Sequence, residues 1–338
     1  MIREKITVLR PESLGEALKM MADMPQAKPL AGGTDLLVQL KQGLITGACL
    51  IDLDGIPGFA GIDREGDHFL IGAGVRLEQL SRHSLVKRYF PALTDAALSV
   101  ASPNLRNMGT IGGNICLEPR CLYLNKSQFW RSSQGNCLKT GGSVCFAVPK
   151  GGHCYACFSA DCPPALMVLD ASVVISQWHG GQIKERIVSL ADLYADDGQR
   201  HLLLNPGELV TAIRIPVTAG YRSAYRKYRH RKSIDFPLAG VAVGLLWEGG
   251  VISNVRIAIG AMASAPLWAR EAMTILEGKT YSGDILREAA ERITSGTRAV
   301  RNQDDSPSQR RHMIRVLFQR IVRDLVIENV TPVSPTRK

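Results

Sequence analysis

No stretch of this 338-residue chain approaches about 18 uncharged apolar residues, the minimum for a membrane-spanning helix. Met1 to Arg10 also lacks the apolar segment of a secretory signal. Both gaps lead us to expect a cytoplasmic chain without membrane contact, in a compartment where thiols stay reduced. Internal repeats and low-complexity linkers are missing too, and the length suits two or three packed units. Neither of the two glycine-rich turns described below has the G-x-G-x-x-G spacing or a Gly-Lys-Ser/Thr ending. A nicotinamide Rossmann domain and a P-loop ATPase are therefore poor fits. Paired C-x-x-C knuckles are absent as well. Only Cys154 and Cys157 have that spacing, which disfavours a zinc site without excluding it.

What is present is ordinary in bulk: 45% hydrophobic and 21% charged residues. The formal net charge of +10 invites a nucleic-acid reading. Its excess lies mainly in Arg222 to Lys232 and in a predicted helix with Arg310, Arg311, Arg315, Arg320 and Arg323. No zinc-finger, RNA-recognition or helix-turn-helix signature accompanies these residues. A solvated or subunit-facing basic surface is expected instead, with no nucleic-acid partner.

Periodicity gives three units. Residues 1–57 alternate short apolar strands with helices. Pro11 opens a helix with Leu14, Ala17, Leu18 and Met21 on one face, and Leu36, Leu37 and Leu40 mark a second. Short strands near 6–9, 28–31 and 49–53 then imply parallel pairing. Residues 58–220 mix a strand at 69–73, helices around 77–80 and 92–100, a hairpin through Gly180-Gly181 and a strand at 208–215. Residues 221–330 begin with a hairpin turning at Glu248-Gly249-Gly250 and end in three helices, near 266–277, 283–295 and 309–327. The residues beyond read as a frayed tail.

Two glycine turns carry a binding signal. Ala31-Gly32-Gly33-Thr34-Asp35 lies between a strand and a helix, where glycines let backbone N–H groups approach an anion. By itself this is equally a tight turn. Thr110-Ile111-Gly112-Gly113-Asn114 is a second such turn, and a dinucleotide needs contacts from more than one loop.

Seven of the eight cysteines fall between Cys116 and Cys162, directly after that second turn. Cys121, Cys137, Cys145 and Cys154 are separated by 15, 7 and 8 residues. The segment between them has little apolar periodicity, and an untied loop of such length is uncommon inside a compact domain. A bound metal centre supplies a tie, because its binding free energy becomes folding free energy. Four cysteines suit zinc or an iron–sulfur cluster. His153 is adjacent and is a candidate ligand, although an exposed loop histidine is commoner.

Together these motifs resemble the FAD-binding subunits of the molybdenum hydroxylase, or xanthine dehydrogenase, family. Ser159-Ala160-Asp161-Cys162-Pro163-Pro164-Ala165-Leu166 is similar to that family's Ser-x-Asp-x-x-Pro-Ala-Leu stretch. Tyr225-Arg226-Lys227, with Asp235 downstream, resembles its Tyr-x-Lys segment, and Ile257 to Ala261 the start of its C-terminal domain. Asn114 and Asp161 are 47 positions apart, where most of the family has a handful of residues. That insertion resembles the β subunit of 4-hydroxybenzoyl-CoA reductase.

The resemblance implies an α+β fold: a two-part FAD-binding domain, 1–57 and 58–220, with a Cys-rich insertion at about 116–160, followed by an α+β domain at 221–330. It implies FAD held by Leu30, Ala31, Gly32, Gly33, Thr34 and Asp35, and by Thr110, Ile111, Gly112, Gly113 and Asn114. Asp161 would bond toward the ribityl or ring portion, and Lys227 would set a positive charge near the flavin. From sequence alone, Asp161 is equally a helix N-cap and Lys227 one more member of a basic run. The resemblance also makes Cys121, Cys137, Cys145 and Cys154 ligands of a [4Fe-4S] cluster, with Cys157 competing for the last place. It implies an oxidoreductase subunit without catalytic residues of its own. Its partners would be a [2Fe-2S] subunit, a molybdenum-cofactor subunit and an external carrier such as ferredoxin or NAD(P). The other class of function open to these residues is a zinc-stabilised basic binding module without redox activity.

Overall fold

A computed structural model describes residues 5–327. The predicted C-terminal tail lies outside them. The fold is α+β, as expected, with three sheets of different character. The first has three short parallel strands in the order β1-β3-β2: β1 (Thr7–Leu9), β2 (Lys28–Leu30) and β3 (Cys49–Asp52). Its helix Leu14–Asp23 buries Ala17, Leu18 and Met21, the face that the sequence periodicity marks. That helix begins after Ser13, which accepts from the Glu16 N–H, so the cap and not Pro11 sets its start.

The second sheet is antiparallel, in the order β4-β5-β8-β6-β7. It comprises β4 (Ile62–Glu65), β5 (His68–Gly72), β6 (Ser172–His179), β7 (Gln182–Ser189) and β8 (Leu209–Pro216). β4 escapes the sequence reading because Asp63, Arg64 and Glu65 are exposed on an edge strand and give no apolar alternation. Helices Leu77–Arg82 and Pro91–Ser99 pack into a core with Phe69, Ile71, Phe90 and Phe158.

The third sheet is also antiparallel, in the order β12-β11-β10-β9, with β13 beside β11. It holds β9 (Arg222–Tyr228), β10 (Ala239–Glu248), β11 (Val251–Gly260), β12 (Leu267–Trp268) and β13 (Lys279–Thr280). Helix Pro307–Ile327 covers it through Ile314, Phe318, Ile321 and Val322.

Two expectations about charge need correction. Half of the basic run forms β9, whose alternation buries Ser223 and Tyr225. Arg310, expected on a basic surface, is fully buried. Formal charge alone cannot distinguish an exposed cation from one enclosed by carbonyls. The cysteine segment is mostly irregular, with one exposed helix, Gln128–Gln134, and a short 3₁₀ turn, Leu138–Thr140. No helix among the described residues is long and apolar enough to cross a membrane.

Candidate functional site

The first glycine turn leaves β2 at Leu30 and enters helix Leu36–Lys41 at Asp35. Gly33 has φ +69°, a conformation glycine adopts without strain. Gly32 is required for another reason: a Cβ there would lie 1.8 Å from the Met108 carbonyl oxygen. The turn is pressed against the segment that introduces the second glycine turn. The N–H groups of Gly33, Thr34 and Asp35 donate to no backbone carbonyl, which leaves them for an oxygen-rich ligand.

The second turn has spent its donors. Ile111 N–H donates to Val75 O and Gly112 N–H to Ala73 O, both at 2.9 Å. Gly113 N–H donates to Thr110 Oγ1 at 3.1 Å. Gly112 is glycine because a Cβ would come 2.7 Å from the Ala73 methyl. Asn114 Oδ1 accepts from Cys162 N–H at 3.0 Å, joining this turn to the helix after Asp161. Arg76 donates to Met108 O and to Asp54 Oδ1, each at 2.7 Å, and so fixes the approach of the two turns.

Asp161 and Lys227 come together from distant segments. Lys227 Nζ lies 3.0 Å from Asp161 Oδ2, with side chains only 3% and 4% exposed. Tyr225 donates its hydroxyl to Asp161 Oδ1 at 2.8 Å, and Lys227 also donates to Asp235 O at 3.0 Å. Burial pulls the Lys227 pKa down, and the Asp161 charge opposes that shift. Burial and the neighbouring Asp161 push the Tyr225 phenol well above its usual value, so it stays a donor. Asp161 stands at the N-cap of helix Cys162–Val168 but makes no capping bond with its side chain, since both oxygens are engaged elsewhere. A cleft of about 510 Å³ adjoins this pair through Ser159 and Asp235, with Arg120 and Phe236 on its walls. Its size is that of a cofactor pocket.

Arg120 has no sequence signal of its own. Its guanidinium donates to Asp35 Oδ1 at 2.6 Å and stacks 4.3 Å from the Phe236 ring centroid. Its backbone pairs with Cys157 through reciprocal bonds of 2.7 Å.

Cys121, Cys137, Cys145 and Cys154 line one small cavity, which Lys139 also borders. Cys121 faces the larger cleft as well. Lys139 is tied to Glu118 and to the Gly198 carbonyl. Burial pushes the Cys121 thiol up to about 11 and raises that of Cys154. Among the described residues, no three His, Cys, Asp or Glu side chains converge as they would around a single metal ion. Cys157 does not line the cavity: it is fully buried, with Arg310 Nη2 at 3.5 Å from its Sγ. Cys162 belongs to the core of the second sheet, and Cys116 is partly buried against it. His153 stacks on Tyr155 at 4.0 Å.

The paired turns, the buried acid–lysine pair and the cleft now meet an independent observation. The family model described as the FAD binding domain in molybdopterin dehydrogenase matches residues 4–218. The chain belongs to this family. Residues 223–325 match the CO dehydrogenase flavoprotein C-terminal domain. Among curated relatives, the chain is 34% identical to the aldehyde oxidoreductase FAD-binding subunit PaoB of Escherichia coli, over 79% of this chain and 84% of that one. It is 31% identical to the carbon monoxide dehydrogenase medium chain of Afipia carboxidovorans, over 85% of each. A crystal structure of a Cu,Mo-CO dehydrogenase superposes with TM-score 0.78 at 28% identity, covering 96% of this chain and 98% of that chain. Quinoline 2-oxidoreductase from Pseudomonas putida 86 shares the fold, with TM-score 0.75 at 24% identity. The chain is thus an FAD-binding flavoprotein of the molybdenum hydroxylase family, and the N–H groups that its first glycine turn leaves without backbone partners suit the phosphates of that cofactor.

Proposed function

We propose that this chain is the FAD- and [4Fe-4S]-bearing electron-transfer subunit of a molybdenum oxidoreductase, similar to the 4-hydroxybenzoyl-CoA reductase β subunit. It would work in the cytoplasm beside a [2Fe-2S] subunit and a molybdenum-cofactor subunit. It would relay electrons between them and an external carrier, a ferredoxin-like protein or NAD(P). The observation that carries this reading is the shared cavity of Cys121, Cys137, Cys145 and Cys154, open through Cys121 toward the flavin cleft. Thiols spaced around a cavity suit the four corners of a cubane cluster, whereas one ion draws its ligands to a point. The proposed limits of the three units are 1–57, 58–220 and 221–330.

Bound FAD supplies two-electron redox chemistry, and an iron–sulfur cluster passes electrons singly. The protein provides binding and tuning. Leu30 to Asp35 would hold the pyrophosphate through the free N–H groups of Gly33, Thr34 and Asp35, with Gly32 and Gly33 permitting the approach. Met108 and Gly109, which lead into the second turn, back that first turn, and Thr110 to Asn114 would add the contacts of a second loop. Asp161 and Lys227 would set a fixed dipole beside the cleft, behind Ser159 and Asp235, and the lysine charge would favour an anionic flavin ring over a neutral one. Lys139 brings positive charge to the cavity, and binding iron must displace protons from Cys121 and Cys154, whose thiol pKa values burial raises. No residue of this chain is assigned to substrate chemistry.

Anaerobic purification followed by iron, sulfide, zinc and flavin analysis tests the reading. About four iron and one FAD per chain are expected. Replacing Cys137 or Cys145 with Ser should abolish the iron and leave FAD, while Cys157→Ser should keep both. About one zinc per chain without iron, or iron retained in C137S, would overturn the cluster assignment.

A further inference from the structure

The loop Val300–Gln303, between the last two helices, is far in sequence from the cysteine segment, yet Asn302 is only 4% exposed. Two of its polar groups, the backbone carbonyl and the side-chain Nδ2, reach across the chain. Its carbonyl accepts from Leu122 N–H at 3.0 Å, the residue after Cys121. Its Nδ2 donates to the Tyr155 carbonyl, the residue after Cys154. Its Oδ1 accepts from Arg310 Nη1 at 3.1 Å. One residue from the C-terminal unit, through its backbone carbonyl at one end and its side-chain amide at the other, therefore bridges the two ends of the cysteine loop.

Arg310 holds that bridge in place. Its guanidinium is fully buried, and its partners among the described residues are the carbonyls of Leu238, Val300 and Ala261, the Asn302 amide oxygen and the Cys157 sulfur, with no carboxylate among them. A buried cation without a counter-ion persists only where hydrogen bonds replace its hydration. Here those bonds lock 300–302 against 238, 261 and 157. Without such a lock, loop entropy favours ends that splay apart.

We infer that Asn302, fixed by Arg310, is a positioning residue that sets the separation of Cys121 and Cys154 and pre-forms the thiol cavity before any iron enters. The inference rests on the cluster reading for its purpose but not for its geometry. The tie that the loop requires then comes partly from the protein itself.

Full-length protein carrying Asn302→Ala, Asn302→Asp or Arg310→Lys tests it by two measurements. In iron-free protein, thiol alkylation is followed residue by residue with peptide mass spectrometry. In iron-loaded protein, iron release to a chelator is timed at constant FAD content. Asn302→Ala should speed alkylation of Cys154 by about tenfold, the equivalent of one lost hydrogen bond, and accelerate iron release. Asn302→Asp keeps an acceptor for Arg310 and the backbone bond to Leu122 but loses the donor to Tyr155. It should free Cys154 while leaving Cys121 protected. Wild-type alkylation rates in N302A would overturn the inference, as would uniform exposure of every cysteine in N302D. If wild-type protein takes up no iron, the cluster reading fails, and the alkylation rates still decide the role of Asn302. If R310K does not fold, the two Asn302 variants carry the test.

Discussion

Arg120 Nη1 lies 2.6 Å from Asp35 Oδ1, so the first glycine turn is one ion pair away from the residue preceding Cys121. Both side chains are largely shielded, and the Arg120 backbone is paired with Cys157. The first glycine turn and the thiol cavity are thereby parts of one hydrogen-bonded frame.

Removing that pair should loosen the turn that presents free N–H groups. Arg120→Ala is expected to weaken FAD binding by about tenfold, in line with about 1.5 kcal/mol for a charge-assisted hydrogen bond. Flavin fluorescence titration of the apoprotein measures this. An unchanged Kd would mean that Asp35 holds its position without Arg120.

The Asp161–Lys227 pair is the most deeply buried ion pair among the described residues. Breaking it from one side leaves an unpaired charge in a low-dielectric site, at a cost of about 3 kcal/mol or more. Asp161→Asn and Lys227→Met should each lower stability by that order in urea titrations. The double variant should lose less than the sum of the two. Strict additivity would show that the two residues act separately. Both variants should also retain less FAD.

Gly32 separates packing from ligand contact. A methyl at Gly32 would meet the Met108 carbonyl at 1.8 Å, whereas one at Gly113 meets only the Thr110 hydroxyl, at 3.1 Å. Gly32→Ala should cost about 3 kcal/mol, the upper range for overpacking, and lose FAD. Gly113→Ala should cost much less. Thermal melts with and without added FAD distinguish them, and equal losses would remove the contact between turns as the cause.

His201 gives a pH dependence. It is 5% exposed and packs on Phe158 at 5.8 Å. Burial lowers its pKa from 6.5 to about 4, with Glu118 partly opposing. Between these values the unfolded chain binds a proton that the folded chain refuses. Stability is therefore full above pH 6.5, falls as pH drops toward 4 and levels off below it. The span amounts to about 3 kcal/mol. His201→Phe should flatten this part of the stability–pH curve measured by urea titration. A slope equal to wild type would assign the loss to other groups.

Elements with a strong period were readable in advance. The helix Leu14–Asp23 carries its apolar face at Ala17, Leu18 and Met21, and the Gly180-Gly181 and Gly249-Gly250 turns mark their hairpins. β9 was not readable, because Arg222, Arg226 and Lys227 alternate with the buried Ser223 and Tyr225 inside what looks like a charge run. Arg310 sits in an amphipathic helix beside true surface arginines, and nothing in its local sequence shows the four oxygens waiting around it.

The sequence by itself determined the family, the α+β class, the two glycine turns and a thiol-rich segment, because these depend on residue type and short-range order. Only the tertiary structure decided which groups remain free to act. It showed that the second turn spends its N–H groups on Ala73 and Val75, that Asp161 is held by Tyr225 and Lys227 and that Cys154 faces the shared cavity while Cys157 faces Arg310. Those outcomes depend on contacts between segments more than a hundred residues apart in some cases, and burial there sets both charge state and hydrogen-bond partners.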